Sequence, residues 1–372
     1  MIVLFAAKSV VIAGATLLVL RLVRGRSASD RSWIAHLGLA ALAALPLGSV
    51  LFPPLEVTTS YASVLADAAP ASSDAQAPAG VDWLLLAYAA IALFLLARTL
   101  LALLRLVLLT ARARAVTDDH WLQALARARR RIGFTKSTAL LASGGIASPV
   151  SWGALRPKIL LNTDAVAAHA DADAIVAHEL AHVVRADWLK LMLVRVSVAL
   201  FWFNPFVWLL AREAHQLREE AADDAVLAAD VEDTAYASLL VSAARPQSNS
   251  LRFGAHGVAP ARNSLARRVR RVLDCGSNRS AGGTRWAAAM ATGAAALTAP
   301  LMTLQFTDTA PASPGPAPFA SDDDAQVIVF DLRVPPGEPN TRPKSTQEAS
   351  DQATAGGESP GDAVPASIEK GP

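Results

Sequence analysis

The sequence predicts a predominantly α-helical, polytopic membrane protein with one small α+β domain on the cytoplasmic face. Three observations support this fold class. The 372-residue chain is 53% hydrophobic, with a mean hydropathy of +0.33, which is high for a soluble domain. It contains apolar stretches of roughly 20 residues, the length that crosses a bilayer. Basic side chains are concentrated in some connecting segments and acidic side chains in others.

Four of the apolar stretches predict transmembrane helices, three within residues 1–110 and one in residues 285–306. Arginines, rather than a small-residue cleavage site, follow the first stretch, which favours a permanent anchor over a cleaved signal peptide. The third stretch contains one arginine, Arg98, whose long stem can reach an interface or a partner within a bundle. The stretches are Ile2–Leu20, Trp33–Phe52, Trp83–Leu104 and Trp286–Leu304.

The charges of the connecting segments predict the orientation of the spans. Residues 111–284 carry 22 basic and 16 acidic side chains, and the Arg21–Ser32 loop carries four arginines and one aspartate. Because positively charged segments stay in the cytoplasm, we expect both inside and residues 111–284 to form a cytoplasmic domain. The acidic segments Pro53–Asp82 and 307–372 are then outside. The composition of residues 307–372 predicts a disordered periplasmic tail.

A further apolar stretch, Trp188–Ala211, lies within the predicted cytoplasmic region. Asn204 and Pro205 would break a helix past the middle of this stretch. We therefore expect residues 188–211 to form a re-entrant hairpin, shielded by protein, that enters the membrane and returns. The alternative is a fifth span, which would place the basic run Arg262–Arg271 outside, against the charge rule.

His178, Glu179 and His182 form an H-E-x-x-H motif. Histidines four residues apart share one helix face, so both imidazoles can reach a single Zn²⁺ ion. The carboxylate of Glu179 is placed to take a proton from the attacking water. This motif predicts a zinc metalloendopeptidase with one zinc ion, and the alternative is a surface helix with two incidental histidines.

A run of acids downstream offers a third metal ligand. Catalytic zinc usually keeps three protein ligands, and Glu219 and Asp223 lie on one helix face, four residues apart. We expect Glu219 to bind the metal and Asp223 to accept the second ring N–H of a ligand histidine. Glu220 points about a quarter-turn away, and the choice between Glu219 and Glu220 stays open.

The order of motifs resembles that of the BlaR/MecR-type antirepressor metallopeptidases, integral membrane proteases of the bacterial inner membrane. The resemblance covers roughly Met1–Leu273 and rests on H-E-L-x-H, W-F-N-P at 202–205 and R-E-E-A-A-D at 218–223. It implies a gluzincin-like domain, zinc ligation by His178, His182 and Glu219, and a general base at Glu179. It also implies cleavage of the protein itself or of a cytoplasmic transcriptional repressor, in β-lactam or envelope stress signalling.

The end of the sequence departs from the sensor members of that family, which carry a large outer penicillin-binding domain. The last 66 residues are too polar to build a core. Ser367–Lys370 matches S-x-x-K by letters alone, so we expect no acylation by a β-lactam there. A signal would then enter through the spans, the acidic loop, or a periplasmic partner of the tail.

Two other functions stay open at this point. A catalytically silent membrane signal transducer would keep the fold without needing Glu179, and a quality-control membrane metalloprotease would share H-E-x-x-H but not W-F-N-P. The net charge of +2 does not indicate a nucleic-acid partner, and Cys275, the only cysteine, excludes a disulfide framework.

The remaining cytoplasmic segments predict supporting elements. Ala139–Ala142 and Pro157–Leu161 are apolar runs typical of short strands, and such edge strands commonly hold an extended peptide substrate. Thr117–Ile132 predicts a basic amphipathic helix at the membrane surface, with Trp121, Leu122 and Leu125 on its apolar side. Asp171 or Asp173 is expected to cap the zinc helix. His215 and Tyr236 are candidates for stabilising the oxyanion.

Overall fold

A computed structural model describes residues 2–51, 55–58, 82–169, 171–229, 231–243, 262–280 and 283–307. The expectations for the tail after residue 307, and for most of the Pro53–Asp82 loop, lie outside these residues. The described part is mostly helical with a small sheet, which confirms the prediction of a predominantly α-helical protein that also contains strands.

The elements follow one another from α1 to β6. The helices are α1 (Ile2–Leu22), α2 (Ala28–Leu51), α3 (Trp83–Arg112), α4 (Asp119–Ile132), α5 (Thr163–Ala168), α6 (Ala172–Val184), α7 (Asp187–Leu200), α8 (Pro205–Leu227), α9 (Asp233–Ala243), α10 (Arg262–Leu273) and α11 (Thr284–Thr303). The strands are β1 (Leu55–Thr58), β2 (Arg114–Ala115), β3 (Ala139–Ser143), β4 (Val150–Trp152), β5 (Lys158–Asn162) and β6 (Leu304–Thr307).

Two helices in the described part of the chain are long and apolar enough to cross a membrane: α1, over Leu4–Leu22, and α3. Most of the apolar surface of α3 is exposed, including Leu93, Phe94 and Leu100. An exposed apolar helix of this length fits contact with hydrocarbon. The second and fourth predicted spans form α2 and α11, and their crossing of a membrane stays a prediction.

Helices α1, α2, α7 and α8 share one apolar core, which includes Leu39, Leu42 and Leu210. Two buried hydrogen bonds tie this bundle together. Ser197 Oγ donates to the Leu39 carbonyl over 2.9 Å, and Asn204 Nδ2 donates to Ser9 Oγ over 2.9 Å. Because an unpaired buried polar group is costly, these bonds fix how the helices meet.

The stretch Trp188–Ala211 forms a helical hairpin. Helix α7 ends at Leu200, and α8 begins at Pro205 after a short turn. The Asn204 side chain accepts a hydrogen bond from the Phe206 N–H over 2.9 Å, which caps α8, and proline is favoured at the first helical position. Helix α8 therefore leads back to α6. The entry of this hairpin into a membrane stays a prediction.

A second apolar core includes Trp121, Ile159 and Leu180. A four-stranded sheet with the order β2-β3-β5-β4 covers it. Strands β3 and β5 pair in parallel, and β4 pairs antiparallel with β5. The two strands predicted from the sequence are confirmed as β3 and β5, and β4 is an edge strand. Strands β1 and β6 form a separate parallel pair.

Helix α4 confirms the predicted amphipathic helix. Trp121 and Leu125 are buried in the second core, whereas Leu122 is 41% exposed and lies at the edge of the buried face. Arg127 donates two hydrogen bonds to the Asp173 carboxylate, over 2.8 and 2.9 Å. This arginine therefore holds α4 against α6.

Candidate metal centre

Helix α6 places His178 and His182 on one face, one turn apart. Their Nε2 atoms are 3.2 Å from each other, and both side chains are at least 85% buried, with 15% and 12% exposed. The prediction that Asp171 or Asp173 caps this helix is wrong. Asp171 occupies the N-cap position but makes no capping hydrogen bond, and Asp173 binds Arg127 instead.

Glu219 reaches the two histidines from α8. Its Oε2 atom lies 3.7 Å from His178 Nε2, and its Oε1 atom lies 3.8 Å from His182 Nε2. One donor atom from each residue lies within 4.8 Å of the other two, so the group could hold a metal ion. Tetrahedral zinc with bonds near 2.0–2.1 Å needs donor separations of about 3.3 Å. The donor set and its spacing fit zinc.

The second ring nitrogen of His182 is held by a buried carboxylate. His182 Nδ1 lies 2.7 Å from Asp187 Oδ2, and Asp187 is only 2% exposed. Arg185 and Lys190 also bind Asp187, the latter over 3.1 Å. The chain reverses at Ala186, whose φ of 52° lies in the left-handed region that non-glycine residues seldom adopt. This turn brings Asp187 back to the ring of His182.

The second ring nitrogen of His178 contacts a tyrosine. His178 Nδ1 lies 3.0 Å from the Tyr236 hydroxyl, which donates to Asp223 Oδ1 over 2.6 Å. Asp223 Oδ1 is itself 3.4 Å from His178 Nδ1. The predicted role of Asp223 as a direct partner of a histidine therefore involves Tyr236 as well. Arg268 donates two hydrogen bonds to Asp223, each over 2.7 Å.

These contacts fix the tautomers that suit a metal. If each Nδ1 carries a proton and donates it to Asp187 or Tyr236, each Nε2 presents a lone pair. Two lone pairs only 3.2 Å apart repel each other unless a cation or a shared proton lies between them. The 3.2 Å contact between the two Nε2 atoms therefore fits either a proton held between them or a metal cation that takes its place.

Charged neighbours determine the pKa values around this centre. Burial opposes ionisation of Glu219, but the nearby His178, His182, Arg218 and Arg268 hold its pKa well below the usual range. Burial also opposes ionisation of Asp223, whose pKa is lowered by Arg268. Burial alone would lower the pKa of His178, yet Asp223 and Glu219 raise it to about 9 in the metal-free protein. Without metal, the ionised carboxylates of Glu219 and Asp223 therefore face a protonated His178, and a metal cation would take the place of that proton.

The two remaining acids of the motif region occupy distinct places. Glu179 follows His178 on α6 and is 7% exposed. Glu220 is 2% exposed, and its described partners are not the histidines. Its carboxylate lies 2.5 Å from Arg267 Nε and accepts a hydrogen bond from Gln216 over 2.9 Å. Of the two neighbouring glutamates, Glu219 is the one that meets the histidines.

A small cleft separates α6 from the edge strand β4. Ser151, Trp152 and Gly153 line one side, and His182 and Trp188 line the other. The cleft therefore joins a strand edge, which offers main-chain hydrogen bonds, to one of the candidate metal ligands.

Three contributors to the centre were not predicted from the sequence in these roles: Asp187, Tyr236 behind His178, and Arg268. An acid five residues after the second histidine gives a weak signal for Asp187. The sequence carries no comparable signal for Arg268, which reaches Asp223 across 45 residues of chain. The hydroxyl of Tyr236 lies on the Nδ1 side of His178, away from Nε2, so its position favours support of the ligand over contact with an oxyanion.

Two comparisons with known proteins show what the chain is similar to. The family described as BlaR1 peptidase M56 matches residues 9–272, more than half of the chain. A regulatory protein, BlaR1 of Bacillus licheniformis, is 33% identical over 138 residues. That match covers 37% of this chain and 23% of the relative, so the matched segment spans less than a quarter of the relative's length.

Proposed function

Because the chain belongs to the M56 family of BlaR1-type peptidases, we propose that it is a membrane-embedded zinc endopeptidase acting in envelope or β-lactam stress signalling. Its substrate in this proposal is the protein itself or a cytoplasmic transcriptional repressor. The observation that carries the proposal is the convergence of His178, His182 and Glu219 from two helices within 4.8 Å. The relative's description as a regulatory protein supports a signalling role.

The metal in this proposal is one zinc ion, held by His178, His182 and Glu219. Two imidazoles and one carboxylate form a ligand set that zinc peptidases use. When bound, Zn²⁺ supplies Lewis acidity. Asp187 and the Tyr236–Asp223 pair hold the two imidazoles in the tautomer and orientation that ligation needs.

Glu179 is the proposed general base and acid. Its carboxylate takes a proton from the attacking water and passes it to the leaving amine. A glutamate that follows the first histidine of a metal helix is the usual place for this group. The near-complete burial of Glu179 keeps bulk water away from the proton that it transfers.

The proposed substrate is an extended peptide that pairs with β4. An edge strand holds such a peptide through main-chain hydrogen bonds, and the cleft beside β4 contains His182. A peptide in this cleft would run next to the metal ligands. Pairing with an edge strand supports an endopeptidase, because a paired strand can hold a peptide on both sides of the bond that is cleaved.

In this proposal the protein lies in the bacterial inner membrane with several spans, and its metal centre faces the cytoplasm. The family assignment and the apolar helices α1 and α3 support membrane association. The excess of basic over acidic residues in the segment 111–284 supports the cytoplasmic orientation. A repressor is accessible on that side.

The test uses the full chain, purified in detergent, with zinc content and self-cleavage as the two measurements. We expect the wild type to hold about one zinc and to produce a discrete fragment. Glu179→Gln should keep the zinc and lose the fragment, and Asp164→Asn, an exposed acid on α5, should change neither.

Zinc retained by a His178→Ala, His182→Ala double variant contradicts the metal site, whereas a normal fragment from Glu179→Gln contradicts the role of Glu179. If the wild type cleaves neither itself nor a repressor encoded beside it, the silent-transducer alternative is favoured.

A further inference from the structure

A cavity beside the metal centre lies between α2, α3, α7 and α8, and Arg218 contacts both. The volume of this cavity is about 50 Å³. A cavity of about 10–15 Å³ already holds one water molecule. The walls are mostly apolar, with Leu95, Leu191 and Val198 among them. The cavity is therefore large enough for a compact polar group beside apolar chains.

Three arginines face this cavity: Arg98 from α3, Arg195 from α7 and Arg218 from α8. None of the residues that line it is acidic. Within the described part of the chain, Arg98 and Arg195 have no carboxylate partner, whereas Arg218 donates to Glu219 Oε1 over 3.1 Å. Charged groups in a largely apolar setting are costly unless they are paired or solvated. Two unpaired guanidinium groups in one cavity point to an anionic ligand.

We propose that this cavity binds the phosphate group of an anionic membrane phospholipid through Arg98 and Arg195. The guanidinium group matches the geometry of phosphate and binds it through two parallel hydrogen bonds. Basic pockets between membrane helices on the cytoplasmic side are suited to such headgroups. This inference rests on the proposed membrane orientation but not on the proposed peptidase activity.

The position of Arg98 along α3 favours a lipid over a soluble anion. With a rise of 1.5 Å per residue, Arg98 lies about 22 Å from Trp83 along the helix, and the hydrocarbon core is about 30 Å thick. If Trp83 marks the outer boundary of the hydrocarbon, Arg98 lies about 8 Å short of the cytoplasmic boundary, a distance that its long side chain can span. The cavity is open at Arg98, which is exposed, and the α3 surface around it is apolar. A phosphate can bind the arginines while its acyl chains follow that surface.

Helix α3 offers a matched control for general attraction between arginines and acidic lipid. Arg105 is exposed, lies two turns further towards the cytoplasmic end of α3 and does not line the cavity. It has the same charge and lies at headgroup depth in the proposed orientation. An effect specific to the cavity should therefore spare Arg105→Gln.

The test measures lipid binding to the full chain in non-ionic detergent by native mass spectrometry. The probes are phosphatidylglycerol, phosphatidylcholine and inorganic phosphate. We expect a preference for phosphatidylglycerol, weakened about fivefold by each of Arg98→Gln and Arg195→Gln. Arg105→Gln should bind like the wild type, and Arg98→Lys and Arg195→Lys should bind more weakly than the wild type but more tightly than the glutamine variants, because they keep the charge and lose the paired hydrogen bonds.

Three results would overturn the proposal: equal binding of the two lipids, an unchanged affinity in the Arg98→Gln, Arg195→Gln double variant, or inorganic phosphate that binds as tightly as phosphatidylglycerol. The last result would assign the cavity to a free anion. Zinc content provides the check on folding. If a glutamine variant loses zinc as well as lipid, its fold is disturbed, and the lysine variants, which keep the charge, then test whether the cavity binds the lipid. Lipid binding by Glu179→Gln at the wild-type level would separate this site from the peptidase activity.

Discussion

Asp187 Oδ2 lies 2.7 Å from Nδ1 of His182, and the two residues are joined by the left-handed turn at Ala186. This carboxylate is buried, and Arg185 and Lys190 also contact it. Burial opposes its ionisation, but the charges of Arg185 and the contact with His182 hold its pKa far below the usual range. An ionised Asp187 makes the imidazole of His182 a stronger metal ligand and fixes its ring.

The first prediction is that Asp187→Asn lowers zinc affinity by about 10–100-fold, the usual effect of losing a carboxylate behind a ligand histidine. The amide keeps the shape of the side chain but removes its charge. Competition with a zinc chelator measures the affinity. Asp173→Asn is the matched control, because it removes an ion pair at the exposed start of α6, the helix that carries His182. An unchanged zinc affinity in Asp187→Asn, with both proteins folded, contradicts the supporting role of this carboxylate.

The second prediction separates two roles for Tyr236. Because its hydroxyl lies between His178 Nδ1 and Asp223, we expect Tyr236→Phe to lower zinc affinity about tenfold. The cleavage rate at saturating zinc should change little. Ser238→Ala, which removes an exposed hydroxyl from the same helix, serves as the control. The opposite pattern, normal zinc affinity with a cleavage rate reduced about 100-fold or more, is what loss of an oxyanion donor produces.

The third prediction distinguishes the adjacent glutamates of α8. Glu219→Gln should lose zinc binding, since its carboxylate is the one near both histidines. Glu220→Gln should retain zinc and lose about 1 kcal/mol of stability, because Arg267 keeps its bonds to Glu213. Zinc content and the thermal unfolding midpoint are the measurements. Zinc loss confined to Glu220→Gln would reverse the assignment.

The parts of the centre that could be predicted from the sequence are those fixed by helical periodicity. The shared faces of His178 with His182, and of Glu219 with Asp223, follow from a four-residue spacing. The partners of Glu220, Arg267 and Gln216, could not be predicted. The spacing of residues along α8 does not determine which face of that helix packs against its neighbours.

The unpredicted parts depend on backbone turns and long-range contacts. Asp187 reaches His182 because Ala186 adopts a positive φ. An alanine in the sequence does not predict this conformation, which non-glycine residues seldom adopt. Arg268 reaches Asp223 because α10 packs along α8. From the sequence alone, the arginines of α10 are equally consistent with a surface that binds lipid headgroups. Leu122 followed the apolar pattern of α4, yet it lies at the edge of the buried face.

The last prediction concerns the side of the membrane on which the centre lies, and Cys275 provides a native probe. It is the only cysteine of the chain and is exposed just after α10. We expect a membrane-impermeant maleimide to label it only after the inner membrane is opened, because the basic segment 111–284 should be cytoplasmic. A Cys275→Ser, Ser72→Cys variant should be labelled in cells with an intact inner membrane, since Ser72 belongs to the acidic loop expected outside.

The position of Cys275 also reports on the metal centre. Arg268, seven residues earlier, donates two hydrogen bonds to Asp223, and the Tyr236 hydroxyl links Asp223 to His178. The segment that carries Cys275 and the candidate metal ligands must therefore lie on the same side. If Cys275 were labelled in cells with an intact inner membrane, the centre would face outwards, and a cytoplasmic repressor could not be its substrate. If Cys275 is labelled only after permeabilisation, then His178, His182 and Glu219 lie on the cytoplasmic side, where a cytoplasmic substrate can reach them.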